Sequence, residues 1–218
     1  YSTGINSLIN SINASILTSG LDAHAVVAED SGVIELSQLG GAMTSIQGTS
    51  LYSKGGTINA TLDGVQIQNN GLLINVQSDL NNEPGTVSLV AKNLTMEGDI
   101  QADNESIANL TLENAKWIGN AVHGNNFSIN NKSVWTLSTD SDVVNLDNAG
   151  TIVFSAPNNE TRSPSWSGRI LTVHNQYVAN DATLQLNTVL GNDQSITDRL
   201  VVEGDTSGTT RLHIVNQN

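Results

Sequence analysis

The acidic side chains set the first question, because two carboxylates converging on one groove are the minimum equipment for cutting a glycosidic bond. The candidates are Glu29 with Asp30, Asp140 with Asp142, and Asp147. Asp140 and Asp142 stand two apart, so on a strand both would point to one side. They lie in Ser-Thr-Asp-Ser-Asp, however, a composition that makes chain reversals, and a corner is preferred over a catalytic or calcium role. The glycine and the later glutamate of a calcium loop are missing. The four histidines, His24, His123, His174 and His213, are scattered with no pair at ligand spacing, so no zinc site is expected. With no cysteine there is no thiol nucleophile, thiolate metal site or disulfide. No Gly-x-Ser-x-Gly elbow occurs either. The chain is therefore read as a non-enzyme without cofactor or metal, and a polysaccharide-degrading enzyme using Asp140 or Asp142 is the rival.

Binding chemistry is the other option. Trp117 and Trp135 hold equivalent places in neighbouring repeats, where stacked indoles form either a sugar platform on an outer wall or a packed interior. The interior is favoured, since both sit in β-rich runs whose large side chains usually fill a core. Lys116 and Lys132 supply a small basic patch nearby, in a chain of net charge −13 with eight Lys and Arg. That balance excludes a nucleic-acid partner, which needs clustered cations to displace counterions, and disfavours anionic membranes. The Asn-x-Ser/Thr triplets at Asn59, Asn93, Asn109, Asn126 and Asn159 read as turn chemistry rather than glycosylation signals.

The elements that would position these residues are short strands. Val, Ile and Leu occur in runs of two to five separated by Gly, Asn and Asp, and no amphipathic helix of useful length appears. Leu112, Ile129 and Leu146 recur about every 17 residues, each preceded two positions earlier by Leu110, Phe127 and Val144. Leu94 and Met96 fall about 16 residues before Leu110 and Leu112. The pairs Trp117-Ile118, Val134-Trp135 and Ile152-Val153 repeat at about 17 to 18, and Gly32 superposes on Gly56 at about 24. Unequal units with two or three strands each suit an all-β, right-handed parallel β-helix, in which no rung buries its inward row alone. Seven or eight rungs at about 4.8 Å make a rod of roughly 35 Å. Asn69-Asn70, Asn125-Asn126 and Asn130-Asn131 could stack as amide ladders, and Ser78 to Gly85 reads as a corner excursion.

Residues 1–155 form this rod. Residues 156–218 differ: Pro157 to Pro164 reads as a loop, followed by strand-like runs at Ile170 to Val173, Leu184 to Leu190, Arg199 to Glu203 and Arg211 to Val215. The stretch VVEGDTSGTTRLHIV reads as a β-hairpin, which as part of a sandwich-like cap would cover the exposed end of the stack. Tyr1 begins mid-pattern with no signal peptide, so the chain is read as a piece of a longer protein.

The segment LTVHNQYVANDATLQLNTVLGNDQSITDRLVVEGDTSGTTRLHIVN resembles the autochaperone region of bacterial type V autotransporter passengers, through Leu171-Thr172-Val173, Tyr177, Leu184 to Asn187, Thr197-Asp198-Arg199-Leu200 and Gly208. The upstream AHAVVAEDSGVIELS is similar to the β-helix repeats of AIDA-type adhesins. The resemblance implies a secreted or cell-surface passenger, carried out by a C-terminal outer-membrane barrel to which it stays attached. It marks Leu171, Val173, Tyr177, Leu184, Leu186, Asp198, Arg199, Leu200, Leu212 and Ile214 as residues of a cap that nucleates folding. Expected partners are host glycans, matrix proteins or neighbouring passengers in autoaggregation or biofilm, with Trp117, Trp135, Lys116 and Lys132 on a candidate binding wall. An inert spacer beneath an upstream functional domain is the remaining alternative.

Overall fold

Alternating apolar and polar residues of high β propensity give each strand one inward row, and the inward row is buried only when another strand lies on it. A computed structural model describes the chain except for residue 6, residues 158–166 and residue 218. Its strands pair in parallel, one turn upon the next, as a β-solenoid of about eight turns, with no helix among the described residues. The predicted loop from Pro157 to Pro164 lies largely outside the described residues.

Three walls are formed. The first stacks Ser2–Thr3, Val26–Glu29, Leu51–Lys54, Leu72–Gln77, Asp99–Ala102 and Ala121–Val122. The longest stacks Leu8–Ile12, Val33–Leu39, Thr57–Asp63, Thr86–Lys92, Ile107–Glu113, Gly124–Ile129, Ser141–Asn148 and Ile170–Thr188. The third begins with Ile16–Thr18, Ala42–Ser45 and Gln66–Gln68, and continues through Thr95–Glu97, Lys116–Ile118, Val134–Leu137 and Thr151–Phe154. Inside runs a column of Leu36, Ala60, Leu89, Leu110, Phe127, Leu146 and Tyr177, in register from strand to strand and buried throughout.

The corner closing the long wall explains much of the Gly and Asn content. Gly40, Gly64, Asn93 and Asn114 each follow a long strand with φ between 50 and 66, the left-handed region open to Gly and tolerated by Asn. Asn93 Nδ2 donates to Asp63 Oδ1 at 2.8 Å and Asn114 Nδ2 to Asn93 Oδ1 at 2.8 Å, so the corner side chains also bond the turns together.

The repeat register holds in part. Trp117, Trp135 and Ile152 stack, and Gly32 lies level with Gly56. The other spacings need correction. Leu110 and Leu112 pair with Leu89 and Ala91, while Met96 belongs to the third wall and lies under Trp117. Leu146 stacks on Phe127 and not on Ile129, because this turn is 19 residues long where the one before it is 17. Val144 faces outward, 36% exposed, between the inward Val143 and Leu146, and the strand above it, Ile170–Thr188, carries one extra residue between Val173 and Gln176. Ser78 to Gly85 leaves the strands as expected, between Leu72–Gln77 and Thr86–Lys92.

The hairpin expected in VVEGDTSGTTRLHIV is replaced by parallel growth. Ile170–Thr188 is one 19-residue strand that serves two walls, and both Arg199–Val202 and Asp205–Asn216 pair with it in parallel. Gly204 is a corner of one further turn, and the inward apolar positions of that turn repeat those below it: Leu200 on Leu171, Val202 on Val173, Leu212 on Leu184 and Ile214 on Leu186. Antiparallel pairing in this region is confined to a single bridge, Thr188 with Thr197, at the base of an excursion over 189–196.

Candidate functional site

Trp117 and Trp135 are fully buried, with ring centroids 5.0 Å apart, planes 16° apart and Phe127 against both. Their indole N–H groups donate to the carbonyls of Gly98 at 2.8 Å and Gly119 at 2.9 Å, so each buried polar edge is satisfied at a corner. A Cβ on Gly119 would lie 2.2 Å from the Gly98 oxygen, which is why the chain is glycine there. The sugar-platform reading of this pair is therefore corrected: the indoles are core. Lys116 and Lys132 are exposed, and Lys132 occupies a left-handed corner with φ 68.

The outer face of the long wall is flat and carries mostly uncharged polar side chains. Thr57, Asn59 and Thr61 lie level with Thr86, Ser88 and Val90, then with Ile107, Asn109 and Thr111. An amide ladder runs down it: Asn126 Nδ2 donates to Asn109 at 3.3 Å, Asn145 Nδ2 to Asn126 at 2.8 Å and Asn175 Nδ2 to Asn145 at 2.7 Å. The ladder expected at Asn126 is thus present. Asn69 instead caps its own corner through Gly71 N and the Glu97 carbonyl, and Asn130 accepts from Ser128.

Of the cap residues, Leu171, Val173, Tyr177 and Leu184 are buried, and Leu186 and Leu200 are half-buried beneath or within the last turn. Leu212 and Ile214 are 59% and 48% exposed, and Leu212 lines an open hollow of about 610 Å³ at the end of the stack. Arg199 is exposed. Asp198 is 1% exposed and its carboxylate accepts three N–H groups: Arg169 N at 2.9 Å, Asn187 N at 2.9 Å and Asn187 Nδ2 at 2.7 Å.

Asn187, Arg169 and Gln217 complete this buried clasp. Asn187 Nδ2 also donates to the carbonyls of Phe154 and Ser155, and its Oδ1 accepts from Gln217 Nε2 at 2.7 Å, which links three successive turns. The Arg169 guanidinium donates to the carbonyls of Ser138 and Ser155. Nothing in the local composition around Arg169 marks it, because its partners are backbone carbonyls 31 and 14 residues away.

Asp140 and Asp142 are likewise bonded between turns. Asp140 Oδ1 accepts from Ile170 N at 2.8 Å, and Asp142 accepts from His123 N at 3.2 Å. The scattered histidines are partly assembled: His123 Nδ1 and His174 Nε2 each stand 3.3 Å from Asp142 Oδ2, and His174 Nδ1 is 2.7 Å from Glu203 Oε2. The bond to Glu203 is the main cause that raises the His174 pKa above 6.5. Among the described residues no group of three or more His, Cys, Asp or Glu side chains could hold a metal ion.

Comparison with known families bears on this terminal clasp. Residues 141–218 match the family Autochaperone Domain Type 1, a span that contains Asp142, Asn187 and Asp198. Over 182 residues, 77% of the chain, the sequence is 29% identical to the adhesin BmaC autotransporter of Brucella suis biovar 1. These matches and the β-solenoid together fit a type V autotransporter passenger. Two uncharacterised proteins of Escherichia coli K12, YuaQ and YdeU, are 49% and 43% identical to the passenger over 49 residues, 22% of its length. The matches cover 5% of BmaC, 4% of YuaQ and 10% of YdeU, so the passenger segment corresponds to a small part of each relative. Homology of the autotransporter type implies a secreted or cell-surface passenger.

Proposed function

We propose that the passenger segment is a non-enzymatic adhesive rod whose last turns act as the template on which the rest folds. The observation that supports the template is the single strand Ile170–Thr188, which pairs with Ser141–Asn148 at one end and Thr151–Phe154 at the other. One continuous strand thereby presents a preformed edge to two walls. Parallel pairing between distant residues is slow, because loop-closure entropy is lost before contacts form, and a ready edge shortens that search. Asp198 ties the two ends of this strand together from within the segment itself, accepting from Arg169 N, Asn187 N and Asn187 Nδ2.

The adhesive reading rests on the long wall. Thr, Asn and Ser stand in register at about 4.8 Å, rigid and mostly uncharged, a surface suited to many weak hydrogen bonds with neutral glycans, matrix proteins or a neighbouring passenger. The BmaC relative is named an adhesin, which favours this reading over catalysis.

Deleting 165–218 tests the template: the remainder is expected to lose its cooperative β-sheet transition and protease resistance on refolding. A remainder that refolds at the rate of the whole chain removes the template role. Binding of the labelled 218-residue chain to glycan and matrix-protein arrays, beside a cell-aggregation assay, tests adhesion. Silence in all of them leaves the rod as a spacer.

A further inference from the structure

His123, Asp142, His174 and Glu203 form a column of alternating imidazoles and carboxylates up one edge of the rod. His123 precedes Gly124–Ile129, Asp142 lies in Ser141–Asn148, His174 in Ile170–Thr188, and Glu203 at the corner of the last described turn. Four successive turns therefore each contribute one side chain. The Glu203 backbone adds a bond, its N–H donating to the Val173 carbonyl at 2.9 Å.

The decisive geometry is at His174. Both of its ring nitrogens meet carboxylate oxygens, Nδ1 with Glu203 Oε2 at 2.7 Å and Nε2 with Asp142 Oδ2 at 3.3 Å. A carboxylate only accepts, and a neutral imidazole donates through one nitrogen while the other presents a lone pair. Only the imidazolium satisfies both contacts. Once the ring is neutral, one of the two must open. Among the described residues the turn that carries Glu203 packs on one neighbouring turn, with Leu212 and Ile214 exposed, and the His174–Glu203 contact adds to the strand ladder that joins the two.

We propose that His174 is a proton-operated pin that fastens the last turn to the body of the rod. The other charged or titratable groups about the column are His123, across Asp142, and Asp103 and Glu105, which line the same groove of about 280 Å³. Asp205 stands level with Gln176, two positions beyond His174. All the surrounding carboxylates favour the protonated ring. The folded-state pKa is raised above the ordinary 6.5, so the pin is fully present below that value and is lost as pH rises through the higher folded-state value. The side chain is 44% exposed, and exposed ion pairs are worth roughly 0.2–1 kcal/mol, which sets the expected effect at roughly 1.5- to 5-fold.

The experiment is hydrogen exchange of the 218-residue chain at pH 5.5 and 8.5, corrected for intrinsic chemical exchange, with Ile107–Glu113 as the internal reference. Protection of Arg199–Val202 and Asp205–Asn216 relative to that reference is expected to fall roughly 1.5- to 5-fold at the higher pH. The dependence should vanish in His174→Gln and in Glu203→Gln, and persist in His213→Gln. In parallel, the His174 ring followed by NMR should titrate above 6.5 in the unmodified chain. A midpoint at or below 6.5, or a dependence retained in His174→Gln, overturns the proposal.

Discussion

The middle of the rod and its last turns are held by different forces. Between Thr57 and Phe154 each turn lies between two others, and cohesion comes from inward columns such as Trp117, Trp135 and Ile152, none of them exposed. Beyond Ile170 the inward row continues, but Leu212 and Ile214 are half open, and side-chain polar bonds take over at Asp198, Asn187, Arg169 and His174. A turn with one neighbour gains about half the apolar burial of a turn with two, at a similar cost in chain entropy. The polar clasp supplies directional bonds that do not depend on a following turn. That difference is what lets a terminal segment order itself first and serve as an edge.

Trp135→Ala attacks the middle and carries the largest expected effect, about 4 kcal/mol, because it opens a cavity between Trp117 and Ile152 and leaves the Gly119 carbonyl without its donor. Chemical denaturation should show a lower midpoint for the whole rod. Asp198→Ala attacks the end: the backbone N–H groups of Arg169 and Asn187 lose their acceptor, at about 1–3 kcal/mol for leaving a buried donor unmatched, while Asn187 Nδ2 keeps the Phe154 and Ser155 carbonyls. Hydrogen exchange is expected to rise in Ile170–Thr188 and Arg199–Val202 while Thr86–Lys92 keeps its protection. If Asp198→Ala loosens both regions equally, the two do not differ in how they are held.

The sequence made the rod legible wherever burial repeats strictly. The stacking of Trp117 on Trp135, the level of Gly32 with Gly56 and the excursion after Gln77 all follow from spacing and composition. The register around Leu146 did not, because that turn is 19 residues long where the one before it is 17, and Leu146 stands at the 17-residue spacing from Ile129 as well. The Gly-Asp-Thr-Ser-Gly stretch looked like a hairpin turn, since corner and hairpin use the same residues. Gly208 is instead needed for close approach: it has φ +86, and a Cβ there would lie 1.7 Å from the Ala179 carbonyl oxygen. The histidine column escaped notice for a related reason. His123, Asp142, His174 and Glu203 are 19, 32 and 29 residues apart and meet only once turn lengths are known. The Arg169 guanidinium bonds to backbone carbonyls, which carry no residue signature.

The smallest expected effect concerns a corner of the middle that obeys the polar logic of the end. Asp103 is pushed up by its burial, but hydrogen bonds from Ser78 and Ser106 outweigh this and leave its pKa below 3.8. Its Oδ2 accepts from Ser78 N at 2.6 Å and its Oδ1 from Ser106 N at 2.8 Å, which ties the excursion after Gln77 to the next turn. A depressed carboxylate contributes stability that is complete above the unfolded value and is lost as pH falls through the folded value. Stability measured by urea unfolding should therefore decline below about pH 4, with part of that decline absent in Asp103→Asn. At pH 7 the same variant turns an amide toward Ser78 N–H and should cost about 1 kcal/mol. An unchanged acid limb in Asp103→Asn would mean that other carboxylates, such as Asp79 with its bonds from Asn81 and Glu83, govern the acid response of the rod.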